Sequence, residues 1–189
     1  MALQAELAAE EGEQTALVTS DWARIYEGHY LPQIHAVNEE VENIHLWSYN
    51  EAVEAKEGEY IIATSDYMTP INLNELVTTC LRDLPIEDDK FAYTLLDEEQ
   101  MEAYGLKFEF DLVEKYNLKE GTPEETNQQK FAYITEEAGV YTIHSCAIDG
   151  TTENADAAGR EPLVQVILRD KVNGHIVDVN YFKIKWTAI

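Results

Sequence analysis

The clearest signal along the chain is the stretch "LKFEFDLV", where Leu106, Phe108, Phe110 and Leu112 alternate with Lys107, Glu109 and Asp111. Successive side chains of an extended strand point to opposite faces, so this pattern predicts a half-buried β-strand. A second signal runs from Arg160 to Trp186, "REPLVQVILRDKVNGHIVDVNYFKIKW". Val164, Val166 and Leu168 share one face, and Pro162 can precede the first strand because that position needs no N–H. Asn173 and Gly174 form the dipeptide that supplies the positive φ angles of a two-residue hairpin turn, and Val177 and Val179 return on the same side. Then the parity changes: Phe182, Ile184 and Trp186 are apolar at even positions. Burying each is worth roughly 1.5 to 3 kcal/mol, more than a local ladder irregularity costs, so the pattern predicts a β-bulge near Asn180 or Tyr181.

Elsewhere the elements are shorter. "NIHLWSY", "EYIIATS" and "FAYTLLD" read as strands, and "KFAYIT" with "VYTIHSCAI" as a hairpin across "EEAG". Asn50 can cap a short helix over "EAVEAKEG" that Gly58 ends. In "NLNELVTTCL", Leu73, Leu76, Val77, Cys80 and Leu81 fall at helical spacing with Asn72 and Glu75 as a capping pair, which predicts a helix over Asn72 to Leu81. Asp97, Gln100 and Gly105 bracket a second one over Asp97 to Tyr104. "MALQAELAAE" alternates weakly as a strand, "ALVTSDWARIYEGHYLPQIHAV" reads as irregular or short extended pieces, Thr122 to Glu125 as one capped turn, and "DGTTENADAAGREP" as a surface loop. The expected fold is mainly β: a β-sandwich over residues 58–189 with short inserted helices. Residues 1–57 form an N-terminal portion that adds strands to it or belongs to a preceding unit.

Charge narrows the partners. With 37 acidic and 13 basic residues the net charge is -24, a field that repels phosphate backbones, so nucleic acid and anionic membrane surfaces are not expected partners. The apolar runs, such as "YIIA" and "LVQVIL", are strand-sized, which predicts no membrane insertion by this segment. "MALQAELAAEEGEQ" carries Glu6, Glu10 and Glu11 and no basic start, so the segment reads as intracellular or as part of a longer precursor.

Candidate chemistry is sparse. The histidines at 29, 35, 45, 144 and 175 lack the spacing that places two ligands on one helix face, and "EDDKFAYTLLDEE" lacks the order of a calcium loop, so neither metal nor cofactor is expected. Neither a GxSxG elbow nor a cysteine in a polar helix start occurs, and acidic residues are so abundant that any one carboxylate pair is uninformative, so no catalytic residue is assigned. Cys80 and Cys146 lack the aromatic companions of an immunoglobulin bridge and read as two buried thiols. What remains is aromatic content, with "DWARIYEGHY" and "HLWSY" presenting Trp22, Tyr26, Tyr30, Trp47 and Tyr49 as candidate binding residues.

The stretches "VTSDWARIYEGHYLPQIHA", "HLWSYNEAV", "PINLNELVTTC", "AYGLKFEF", "NQQKFAYI", "GREPLVQVILRD" and "IVDVNYFKIKW" together cover most of residues 18–187. Their texture resembles domains of surface-exposed or lipoprotein-type chains of Bacteroidetes. That resemblance implies an immunoglobulin-like β-sandwich excised from a multidomain protein of the cell surface or periplasm, and it carries no catalytic residues. The function expected is a non-catalytic surface module for adhesion, scaffolding or ligand binding, its partner a polysaccharide or another surface protein. The alternatives are a carbohydrate-binding module that uses exposed aromatics and, third, a glycan-processing enzyme.

Overall fold

The computed structural model describes residues 32–37, 46–82, 93–113, 131–145 and 157–189. The chain is mainly β, with ten strands in three sheets among the described residues. The strands are β1 (Gln33–Ala36), β2 (Ile61–Asp66), β3 (Ile71–Asn72), β4 (Val77–Arg82), β5 (Tyr93–Leu96), β6 (Leu106–Leu112), β7 (Ala132–Glu137), β8 (Val140–Ser145), β9 (Leu163–Asp170) and β10 (Ile176–Thr187). Two short helices, α1 (Tyr49–Glu54) and α2 (Glu98–Ala103), and one 3-10 turn (Leu73–Glu75) complete them.

The largest sheet has the order β2-β10-β9-β6. β9 pairs antiparallel with both β10 and β6, while β2 joins the free side of β10 in parallel. Opposite residues share a face. The register Phe108↔Leu168, Phe110↔Val166, Leu112↔Val164 and Phe182↔Val164 therefore sets one apolar face against the interior. β6 is buried at the predicted positions, Leu106, Phe108, Phe110 and Leu112. Polar "GREP" extends this ladder rather than looping away: Ile184 N–H donates to the Pro162 carbonyl and Trp186 N–H to that of Arg160.

The other two sheets have the orders β1-β4-β5 and β3-β8-β7. Ile34, Val77, Leu81 and Leu96 from the first, and Ala132 and Ile143 from the second, enter the same hydrophobic cluster as Phe182, Ile184 and Trp186. The three sheets therefore share one core. Phe110 on β6 meets Tyr141 on β8 with ring centroids 5.3 Å apart. The β7–β8 hairpin turns on Ala138 and Gly139, both at positive φ (52° and 85°), as a two-residue primed turn requires. Asn74 in the 3-10 turn pins it, donating to the Gly139 carbonyl and accepting the Tyr141 N–H.

Four local expectations are corrected. The helix expected over Asn72 to Leu81 is one 3-10 turn followed by β4. Asn72 and Glu75 do form their predicted side-chain pair, but Thr78 and Thr79 with Val77 favour extended backbone. β4 is the middle strand of its sheet, with Val77, Thr79, Cys80 and Leu81 all buried, so residues on both faces are apolar and mimic helical spacing. Helix α1 is capped by Ser48, not Asn50, through a complete capping box with Glu51. The β9–β10 connection is a five-residue loop rather than a two-residue turn: Asp170 gathers the N–H groups of Val172 and Asn173 on one carboxylate oxygen, and Gly174 (φ 74°) alone in the loop is at positive φ. The bulge lies at Val177, where the register steps from Ile176↔Arg169 to Asp178↔Leu168.

That placement leaves Asp178 and Asn180 on the inward face, where the predicted bulge would have put Val177 and Val179. Asp178 is satisfied there: one carboxylate oxygen accepts the Ile34 backbone N–H at 2.9 Å and the Asn180 side-chain amide at 2.8 Å, and the other accepts Val179 N–H. α2 matches expectation, with Asp97 and Gln100 forming a reciprocal capping box and Gly105 (φ 69°) following it. The strand-like start, the turn at Thr122 to Glu125 and Cys146 lie outside the described residues.

Candidate functional site

The segment before α1 approaches β10 where β2 has not yet begun to pair with it. Trp47 and Tyr181 exchange backbone hydrogen bonds, 3.3 Å from the Trp47 N–H and 2.8 Å from that of Tyr181. Such a mutual pair places both side chains on the same side of the sheet. Tyr181 is at odd parity, opposite Gln165 and away from the face that buries Phe182, so this side is the outer one. The Gln165 amide donates to the Tyr181 hydroxyl at 2.6 Å.

Four aromatic side chains gather here. The Trp47 indole lies on the Tyr60 ring, centroids 4.2 Å apart and planes 16° apart, and Tyr49 meets Tyr181 edge-on at 5.4 Å. Both geometries suit the ring quadrupole. Tyr49 is 43% exposed and is the member most open to solvent, whereas Trp47 is half-buried and packs on the core cluster. The Ser48 cap fixes where Tyr49 projects, since Ser48 accepts Glu51 N–H while Glu51 accepts Ser48 N–H.

Tyr60 is held in an unusual conformation. Its φ is +64°, a region where a side chain with a Cβ costs roughly 1–2 kcal/mol. Its carbonyl accepts Lys183 N–H at 2.8 Å, and its ring is stacked on Trp47. Strain of this kind persists only where surrounding contacts over-determine it.

Beside the rings lies a charged cluster. Lys183, on the outer face of β10, donates to the carbonyls of Ala55 and Lys56 just after α1. Glu161 lies 3.7 Å from Lys183 and 3.2 Å from Lys185, and its two oxygens accept Gly58 N–H at 3.0 and 3.1 Å. The side chains of Lys183 and Glu161 are only 11% and 9% exposed. The cluster thus ties the segment after α1 to β10 and fixes the platform on which Tyr60 and Trp47 stand. Farther across the same face, Glu109 is held below the usual carboxylate range, foremost by Lys107 at 2.6 Å and then by Arg169 at 2.8 Å.

Of the five residues predicted to bind, Trp47 and Tyr49 come together, and Trp22, Tyr26 and Tyr30 lie outside the described residues. Tyr60 and Tyr181 were not predicted. The parity of β10 held the signal for Tyr181, because even-numbered apolar residues place it outward. Nothing in "EGEY" marks Tyr60, whose role comes from a backbone turn. Such a group of rings can stack on the apolar face of a flat or saccharide-like ring while the tyrosine hydroxyls and Gln165 exchange hydrogen bonds with its rim.

Cys80 is buried and free, its thiol pushed up to about 11, first by burial and then by the Asp178 carboxylate. Among the described residues no three His, Cys, Asp or Glu side chains are grouped to hold a metal ion. Among them, too, no helix is long and apolar enough to cross a membrane. No family model matches the chain, and no match to it was found among curated proteins or solved structures.

Proposed function

We propose that the chain is an immunoglobulin-like β-sandwich module of a cell-surface or periplasmic protein, non-catalytic, which binds a polysaccharide or a neighbouring surface protein. Strand order supports the fold reading. In an immunoglobulin sandwich the strands C, F and G form one sheet and B, E and D meet in the other. The order β6-β9-β10 corresponds to C-F-G, and β3-β8-β7 to B-E-D, with β2 in the position of a first strand that crosses to pair with G. The β4–β5 hairpin, β1 and α2 are additions between the B and C positions and ahead of A. A net charge of -24 disfavours nucleic acid and anionic membranes as partners.

The observation that carries the binding role is the stacked pair of Trp47 and Tyr60 beside Tyr49 and Tyr181 on an outer sheet face. A saccharide is favoured over a protein surface by the exposure of Tyr49 next to ring hydroxyls and the Gln165–Tyr181 hydrogen bond, which offer stacking and polar contact together. The non-catalytic reading is supported by Cys80, whose raised thiol pKa suits a buried structural group. It is supported too by Glu161, Lys183 and Lys185, whose charges are engaged with one another and with backbone. The test is a polysaccharide and glycan array probed with the intact chain and with Tyr49→Ala. Binding lost in the variant is the expected result. Binding that Tyr49→Ala leaves unchanged removes the site, and turnover of any polysaccharide in the same wells removes the non-catalytic assignment.

A further inference from the structure

The loop between β9 and β10 holds Asn173–Gly174, the sole asparagine in the sequence followed by glycine. Asn173 and Gly174 are exposed, and a Cβ built on Gly174 would meet no atom within 4 Å, so the side of the turn at Gly174 Cα is open. The Asn173 side chain is folded back on its own backbone: its Oδ1 accepts the His175 N–H at 2.8 Å. This Asx-type turn encloses Gly174 between Asn173 and His175 and gives the side-chain carbonyl oxygen a fixed donor. Asp170 and Arg169 hold the frame, Asp170 through the Val172 and Asn173 N–H groups and Arg169 through the Gly174 carbonyl at 2.7 Å.

We propose that Asn173 is a site of spontaneous covalent modification, converted in the folded protein to aspartate and isoaspartate. The deprotonated Gly174 nitrogen attacks Cγ of Asn173, and the negative charge that develops on Oδ1 is met by the His175 N–H, a donor already in place. The Cγ–Nδ2 bond breaks and ammonia leaves with the proton given up by the Gly174 nitrogen, closing a five-membered imide. Water then opens the imide at either carbonyl, leaving aspartate or a backbone routed through the side chain. No oxidant or reductant takes part. The opposing contact is the Gly174 N–H bond to the Asp170 carbonyl at 2.9 Å, which must open first. Gly174, the donor, is exposed, and its acceptor is the carbonyl of the last residue of β9, Asp170, so opening this bond frays only the end of the strand. Each event adds one negative charge next to Asp170.

The test incubates the intact folded chain at mildly alkaline pH and follows Asn173 by peptide mapping and isoaspartate-specific methylation, with Asn173→Ser as control. Conversion at Asn173 is expected to run at least about tenfold faster than at any other asparagine, the advantage that one well-placed donor at an exposed site supports, and to quicken as pH rises. Asn173→Ser should abolish the signal. A folded chain that stays unmodified while the same chain in urea converts at Asn173 overturns the proposal, because the loop would then protect the site.

Discussion

The carboxylate of Asp178 accepts the backbone N–H of Ile34 at 2.9 Å, joining β10 to β1 across 144 positions of sequence. Asp178 shares its face of β10 with Phe182 and Trp186, so the bond is made toward the core. A hydrogen bond to a charged group contributes about 1.5–3 kcal/mol, and Asp178→Ala also leaves the Asn180 amide without this acceptor. Asp178→Ala should lower stability by about that much in urea unfolding. An unchanged midpoint would mean that water takes over both donors.

Cys80 carries a pH dependence. Its folded pKa, about 11, lies above the ordinary value of 9.0, so between those two pH values the unfolded chain gives up the proton while the folded chain keeps it. Its contribution is whole below pH 9 and is lost as pH rises toward 11, to the extent of roughly 2–3 kcal/mol. Cys80→Ala should flatten that part of the stability profile measured by urea titration. A thiol-reactive dye at pH 8 should react slowly with the folded chain at Cys80.

Tyr60 separates backbone strain from ring stacking. Tyr60→Ala loses the contact with Trp47 and keeps the strained φ, whereas Tyr60→Gly loses the contact and relieves the strain. After the extra freedom of glycine in the unfolded chain is subtracted, Tyr60→Gly should be more stable than Tyr60→Ala by about 0.5–1 kcal/mol. Equal stabilities would show that the residue has moved out of the left-handed region in both variants.

Glu161 anchors Lys183, Lys185 and the Gly58 N–H. Glu161→Ala leaves Lys183 nearly buried without its counter-charge and should cost about 3–5 kcal/mol. Glu161→Gln keeps an oxygen for Gly58 and should cost less. The same variants should raise hydrogen exchange at residues 55–60, because Lys183 is then the remaining tie to the carbonyls of Ala55 and Lys56.

Local rules were legible where one face of a strand meets water. β6 follows its alternation residue by residue, the Ala138–Gly139 turn falls within "EEAG", and α2 starts and stops at its predicted signals. They misled where burial is two-sided or where a polar side chain replaces an apolar one. β4 is covered on both faces, so its apolar residues carry no period of two. Asp178 and Asn180 occupy inward positions because Ile34 N–H reaches Asp178, a partner that no local pattern announces. The aromatic site divides in the same way. Trp47 and Tyr49 stand together in "HLWSY", while Tyr60 and Tyr181 are brought in by a left-handed turn and by a bridge between distant segments.

The parallel seam between β2 and β10 has a temporal meaning. A ribosome emits Ile61–Asp66 long before Lys183–Thr187, so β2 must wait for its neighbour while the intervening strands are made. Contacts of such long sequence separation close slowly. Until then the backbone groups of β2 that will face β10 are available to a chaperone, or to the same strand of another nascent copy.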